Sequence, residues 1–220
     1  MKNVLHFVVA FVVSMTFGAC GLAQDADEKT RTAAKAEIPK VASETKPIEV
    51  DAELPEVSLK DAEGQEVMLS TLCQDKPVVL VFFRGGWCPI CTPHTSELIA
   101  AYPQIKELGA DVVAISPDSP NSTKSNIDKN SIPFQVLSDA DVEAAQAFGL
   151  AFVVDDDTVK KYKGYGIDLE KASEKTHHAL PIPAVYIVNR EGKVVFAHSD
   201  PDYRKRLKVD DILSELKKLQ

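Results

Sequence analysis

Cys88 and Cys91, in the stretch Trp87-Cys88-Pro89-Ile90-Cys91, are the residues of this 220-residue chain best suited to chemistry. A thiolate is a strong nucleophile, and a second thiol one helical turn away can reach the first sulfur and close a disulfide. The stretch lies where a buried apolar run ends and an amphipathic run begins. Unpaired backbone N–H groups and the helix dipole favour negative charge at such a junction. Cys88, at the loop edge, is the nucleophile by position, and Cys91, one turn further, the resolving thiol. The expected cycle is attack by Cys88, a mixed disulfide or sulfenic acid, then closure to a Cys88–Cys91 disulfide. Two other readings compete. A zinc site would recruit His94, three residues after Cys91, and Cys73, but no second Cys/His pair has ligand spacing. A purely structural disulfide would close a very small loop and restrict the unfolded chain little.

The elements around the pair alternate in type. Val57 and Leu59, a turn at Asp61 to Gly64, then Val67 and Leu69 read as a short hairpin. The run Val78 to Phe83 is continuously apolar, as expected of a strand buried on both faces. From about Thr92 the residues Leu98, Ile99, Tyr102, Ile105 and Leu108 share one helical face, ended by Gly109 and with Pro103 as a kink point. Asp111 to Ser116 and Phe134 to Leu137 are further strands, with helices expected after each. Residues 154 to 180 show no clear period and read as a long charged insertion. Ala184 to Asn189 and Val194 to His198 form a strand pair, and Val209 to Leu219 a closing amphipathic helix. Such an order implies an α/β domain with a mostly parallel central sheet, helices on both faces, and an antiparallel edge.

Composition bounds the partners. The formal net charge of −8 argues against nucleic-acid binding through a general electrostatic mechanism. Lys160, Lys161 and Lys163 lie beside Asp155 to Asp157. Arg204, Lys205 and Arg206 form a short run read as a solvated face. Residues 1–23 have the order of a secretory signal, an apolar stretch from Val4 followed by small residues. Two processing outcomes follow: cleavage after Ala23, or lipid attachment at Cys20 in Gly18-Ala19-Cys20. Both place the protein outside the cytoplasm, periplasmic or secreted, with membrane attachment only if Cys20 is lipidated. Residues 24–52 lack apolar period and aromatics and read as a disordered linker, leaving 53–220 as the folded domain.

Trp87-Cys88-Pro89-Ile90-Cys91 resembles the thioredoxin active site. Leu59-Lys60-Asp61, Val67 to Ser70, Val113 to Pro120, and Phe134 to Asp139 followed by Phe148-Gly149 resemble peroxiredoxins of the alkyl hydroperoxide reductase/thiol-specific antioxidant group. The resemblance covers most of residues 54–198. It implies a thioredoxin-like fold with a central mixed sheet and an N-terminal β-hairpin, and a thiol-based cycle on a hydroperoxide or disulfide substrate. It further implies a thioredoxin-like electron donor and no metal or organic cofactor. Peroxiredoxins usually carry Thr or Ser three residues before the peroxidatic cysteine and a Pro further upstream. Here those positions are Gly85 and Val81, which predicts slow peroxidase turnover. Arg84 is expected to supply a cationic donor near Cys88. Pro183 matches the place where thioredoxin-like proteins keep a cis-proline, so a cis Ile182–Pro183 bond is expected. Trp87 is expected to shield Cys88. His94, His177 and His178 read as surface or loop histidines, and Cys73 as a lone buried or half-buried thiol. Two functional alternatives remain at this stage: a thiol-disulfide reductase without peroxidase activity, and a non-catalytic tethered binding module with a structural disulfide.

Overall fold

The computed structural model describes residues 37–220. The signal reading of residues 1–23, the lipidation candidate Cys20 and the first part of the linker lie outside the described residues.

Nine strands and six α-helices follow one another in these residues. The hairpin comes first, as β1 (Ser58–Lys60) and β2 (Glu66–Met68), closed by a turn in which Asp61 accepts from the Glu63 and Gln65 N–H groups. Then come β3 (Val78–Phe82), α1 (Cys91–Glu107), β4 (Asp111–Ser116), α2 (Pro120–Asn130), β5 (Gln135–Ser138) and α3 (Glu143–Ala147). The chain continues through β6 (Ala151–Val153), α4 (Asp156–Gly164), α5 (Leu169–Ser173), β7 (Ala179–Pro181), β8 (Ala184–Val188), β9 (Val194–Ser199) and α6 (Val209–Lys217).

Seven strands make one mixed sheet in the order β2-β1-β5-β4-β3-β8-β9. Parallel pairing is confined to β3–β4 and β4–β5, while β8, β9 and the hairpin run antiparallel. The sheet is therefore less parallel than the alternation of elements suggested, because the hairpin joins its edge beside β5. β6 and β7 form a separate two-stranded ribbon.

The period of two in each strand builds two cores. Val79, Val81, Val112, Ala114, Val136, Val185 and Ile187 face α1 and α6. Val78, Leu80, Phe82, Val113, Ile115, Leu137 and Tyr186 face Leu59, Leu69, α3 and Leu150. β3 is buried along its whole length, as its unbroken apolar run requires. α6 buries Val209, Ile212, Leu213 and Leu216, each removing apolar surface worth about 1.5–3 kcal/mol from water.

Two segments differ from their sequence reading. Residues 154–180 are not irregular. Asp155 caps α4 by accepting from Thr158 N–H, and Asp168 caps α5 by accepting from Glu170 and Lys171 N–H. The helices are short and their apolar faces narrow, so charge masks their period. The second difference is the linker's last part, residues 37–52, which is bonded to the domain. Lys46 N–H donates to Gly149 O, Ile48 N–H to Phe148 O and Asp51 N–H to Val194 O. Ala42, Ile48 and Ala52 pack on the core. Single apolar residues among charged ones carry no period, which hides such a strap.

Candidate active site

Sheet topology gathers the site at one edge. β3 and β4 are parallel, so their carboxyl ends coincide, and β8 starts there because it runs the other way, with Phe82 opposite Ala184. β9 returns to the same edge, with Ser199 opposite Ala184. The segments that follow β3, β4 and β9 and precede β8 therefore converge. They carry Arg84 to Cys91, Asp118, Arg206 and Pro183.

Cys88 stands just before α1 and Cys91 is its first residue. Cys88 N–H donates to Gly85 O at 3.1 Å, while Cys88 O accepts from Cys91 N–H at 3.0 Å and Thr92 N–H at 3.3 Å. These bonds fold the Trp-Cys-Pro-Ile-Cys stretch into a tight turn that brings the sulfurs to 2.6 Å, with both cysteines free. The Cys91 thiol donates to the Cys88 sulfur, and that bond pulls Cys88 down to about 6. Burial opposes it. Arg84, the Cys91 N–H and Arg206 add to the lowering. Cys91 is pushed up, because its proton is committed to Cys88, it is buried, and it faces the Cys88 charge. The two thiols are thus differentiated, one ionised at neutral pH and the other protonated.

Neither sulfur is open to solvent. Cys88 is 2% exposed and Cys91 3%. Trp87 packs against the core cluster that holds both, while Pro89 and Ile90, between the two cysteines in sequence, are exposed. The loop-edge position of Cys88 therefore does not make it accessible; the tight turn folds it beneath its neighbours.

Arg84 is buried. Its guanidinium lies 4.3 Å from the Tyr203 ring centroid, 5.3 Å from Tyr162 and 5.4 Å from Trp87, and Nη2 donates to Tyr162 Oη at 2.5 Å. Aromatic faces stabilise a desolvated cation. No carboxylate pairs with it among the described residues. Its charge helps to hold the Cys88 thiol below the ordinary cysteine value.

Gly85 and Gly86 have little choice of residue. Gly85 has φ +137°, and a Cβ there would fall on Trp87 Nε1 and lie 2.7 Å from Asp118 Oδ1. A Cβ on Gly86 would lie 2.5 Å from Asn126 Cγ. The Thr or Ser usual in peroxiredoxins is thus excluded at position 85 by the Trp87 and Asp118 side chains. Asp118 holds the loop by accepting from Gly86 N–H at 2.7 Å, and burial pushes its carboxyl up to about 6. Beside Gly86 and Trp87 opens a cavity of about 320 Å³, bordered also by Asp118, Asn126, Ile167 and Lys171.

Several other expectations change. The described residues contain no cis peptide bond, so Ile182–Pro183 is trans. Trans is the lower-energy isomer, and here it carries the chain from β7 directly into β8. Pro183 borders a small cavity together with His94 and Arg206. His94 is buried, not at the surface, and burial, then the Arg206 charge, lowers it to about 4, so it is neutral. Its spacing of three from Cys91 puts it on the same inward helix face. Arg206 leaves the solvated run and donates from Nη2 to Cys91 Sγ at 3.3 Å. Cys73 is a free buried thiol on the opposite sheet face, away from the pair. His177 bonds to Ala140 O and His178 to Glu170, both at 2.8 Å, which ties the insertion in place. Among the described residues no cluster of three His, Cys, Asp or Glu side chains could hold a metal.

The sequence does not single out Asp118 or Arg206. Asp118 had a usable signal, a polar residue just past a buried parallel strand, where sites in α/β sheets form. Arg206 had none, because its charged neighbours give the run a solvent-facing pattern.

Residues 50–197 match the AhpC/TSA family. The chain belongs to that family. Among its relatives are a chloroplastic peroxiredoxin Q of Sedum lineare, 30% identical over 166 residues and 76% of each chain. Another is peroxiredoxin Bcp of Bacillus subtilis (strain 168), 26% identical over 168 residues, covering 76% of this chain and 92% of that one. The fold matches peroxidoxin BcpB of Mycobacterium tuberculosis with a TM-score of 0.61 at 20% identity, over 79% of this chain and 99% of that one. It also matches Xanthomonas campestris peroxiredoxin Q with a TM-score of 0.58 at 21% identity, over 76% and 98%. The fold is thus the thioredoxin-like α/β arrangement of the peroxiredoxins.

Proposed function

We propose that the thiol-dependent peroxidase activity of this family runs here on Cys88 and Cys91, as a dithiol–disulfide cycle inside one chain. The protein is a thiol-dependent peroxidase of the peroxiredoxin kind, with an antioxidant role. The observation that carries the assignment of the cysteines is their asymmetry: Cys88 is pulled down to about 6 while its partner 2.6 Å away keeps its proton. The Cys88 thiolate attacks the hydroperoxide O–O bond, giving a sulfenic acid and releasing the alcohol or water. Cys91 then closes the disulfide, and a dithiol of thioredoxin type restores both thiols.

Burial requires the turn that carries Cys88 and Cys91 to open before a substrate reaches Cys88. The cavity bordered by Gly86 and Trp87 lies against the residues that immediately precede Cys88. A second reading is favoured by Gly85: without the usual hydroxyl the site would act better on disulfides than on peroxides. Rates of reduced protein with a hydroperoxide and with a model disulfide separate the two. The peroxidase reading requires the hydroperoxide to be the faster oxidant and Cys88→Ser to abolish its consumption. A faster reaction with the disulfide supports the reductase. The signal reading of residues 1–23 places this activity outside the cytoplasm, which cell fractionation of the full chain tests.

A further inference from the structure

Arg206 sits between β9 and α6, in a run whose other charges are satisfied locally. Arg204 pairs with Asp202 and Lys205 with Asp200. Arg206 has no carboxylate partner among the described residues. Its guanidinium is half-buried and gives one hydrogen bond to Lys205 O at 3.1 Å and one to Cys91 Sγ at 3.3 Å. Two features make the second contact more than a resting place. Arg206 is a permanent cation, and its natural counter-ion is an anion at the atom it touches. The neighbouring His94 is buried and uncharged, so it supplies no competing cation. Arg84, which is buried, is committed to the aromatic rings around Trp87.

We propose that Arg206 is a catalytic residue of the resolving step, holding the Cys91 sulfur as a thiolate directed at Cys88. This rests on the Cys88/Cys91 cycle proposed above. In that step the Cys91 thiol gives up its proton and its sulfur attacks the sulfur of the Cys88 sulfenic acid. The S–S bond forms, the S–O bond breaks, and the hydroxide leaving Cys88 takes up a proton to become water. No further oxidant or reductant is needed. Burial opposes ionisation of Cys91, and the guanidinium is the one side-chain cation that contacts this sulfur among the described residues.

The test uses the reduced full chain mixed with hydrogen peroxide in a stopped-flow instrument, followed by fluorescence of Trp87, the chain's single tryptophan. Oxidation of Cys88 is the phase whose rate rises with peroxide, and disulfide closure is the phase that does not. Arg206→Gln should slow closure about tenfold or more at neutral pH, consistent with loss of one charge-assisted hydrogen bond, and slow the peroxide-dependent phase by clearly less, because Arg206 is the last and smallest of the influences that lower Cys88. The slowed closure should recover as pH rises, because hydroxide then ionises Cys91, and Arg206→Lys should close at an intermediate rate. Closure at the wild-type rate in Arg206→Gln overturns the proposal. So does an equal slowing of both phases, or a lysine variant no faster than glutamine. If the wild-type protein forms no Cys88–Cys91 disulfide at all, the cycle itself fails, a result distinct from any of these.

Discussion

Two thiols of the same type differ here because one hydrogen bond has a direction. Cys91 donates and Cys88 receives, so charge gathers on Cys88. The rate of alkylation of reduced protein by iodoacetamide should therefore rise with pH around a midpoint near 6, well below the free thiol value of about 8.5. Removing the charge with Arg84→Gln should move that midpoint upward; an unchanged midpoint would show that the cation does not act on Cys88. Gly85 gives a second prediction. Installing the missing hydroxyl by Gly85→Thr should reduce peroxidase activity, because the Cβ meets Trp87 and Asp118 and the backbone φ of +137° disfavours any side chain. The cost should be about 2 kcal/mol or more in stability, read from urea unfolding. A threonine variant of wild-type stability and higher peroxidase rate would contradict the packing described.

The elements show what a sequence displays and what it hides. The hairpin, β3, α1 and the closing helix were legible because each repeats an apolar residue at a fixed period beside a clear turn or stop. The site's first half was legible for the same reason: the junction of β3 and α1 fixes where Cys88 and Cys91 fall. Its second half was not. Arg206 and Asp118 arrive from segments brought close by strand order; the end of a buried parallel strand hints at Asp118, but no local pattern encodes Arg206. Pro183 shows the opposite failure, a local match whose expected cis bond the backbone does not adopt. The strap at residues 37–52 is held by backbone bonds, which any sequence can make. Gly149 is its anchor: φ is +66°, and a Cβ there would fall on Lys46 O. Gly149→Ala should detach the strap, accelerating hydrogen exchange at Lys46 and Ile48 while leaving the amides of β3 protected. Unchanged exchange at those two amides would contradict the anchoring.

Across the whole molecule, buried titrating groups set how stability follows pH. Burial raises Asp118 to about 6 and Asp139 to about 7, so the folded chain keeps protons that the unfolded chain has released above about 4. Their stabilising contribution is present below about pH 4 and is lost as pH rises through 6 and 7. His94, lowered to about 4, acts in the opposite sense over the same window, but two groups outweigh one. Urea midpoints should therefore fall between pH 4.5 and 6, at roughly 1.4 kcal/mol per pH unit for one net proton; a rising midpoint would show that these carboxyls are not protonated in the fold. The central claim is that peroxide is spent on one particular pair of sulfurs, and thiol counting tests it most directly. Fully reduced protein treated with one equivalent of hydrogen peroxide should lose two thiols, recovered by mass spectrometry as a Cys88–Cys91 disulfide with Cys73 still free, and Cys88→Ser should consume none. Peroxide consumption that survives Cys88→Ser, or a disulfide that includes Cys73, would contradict the account.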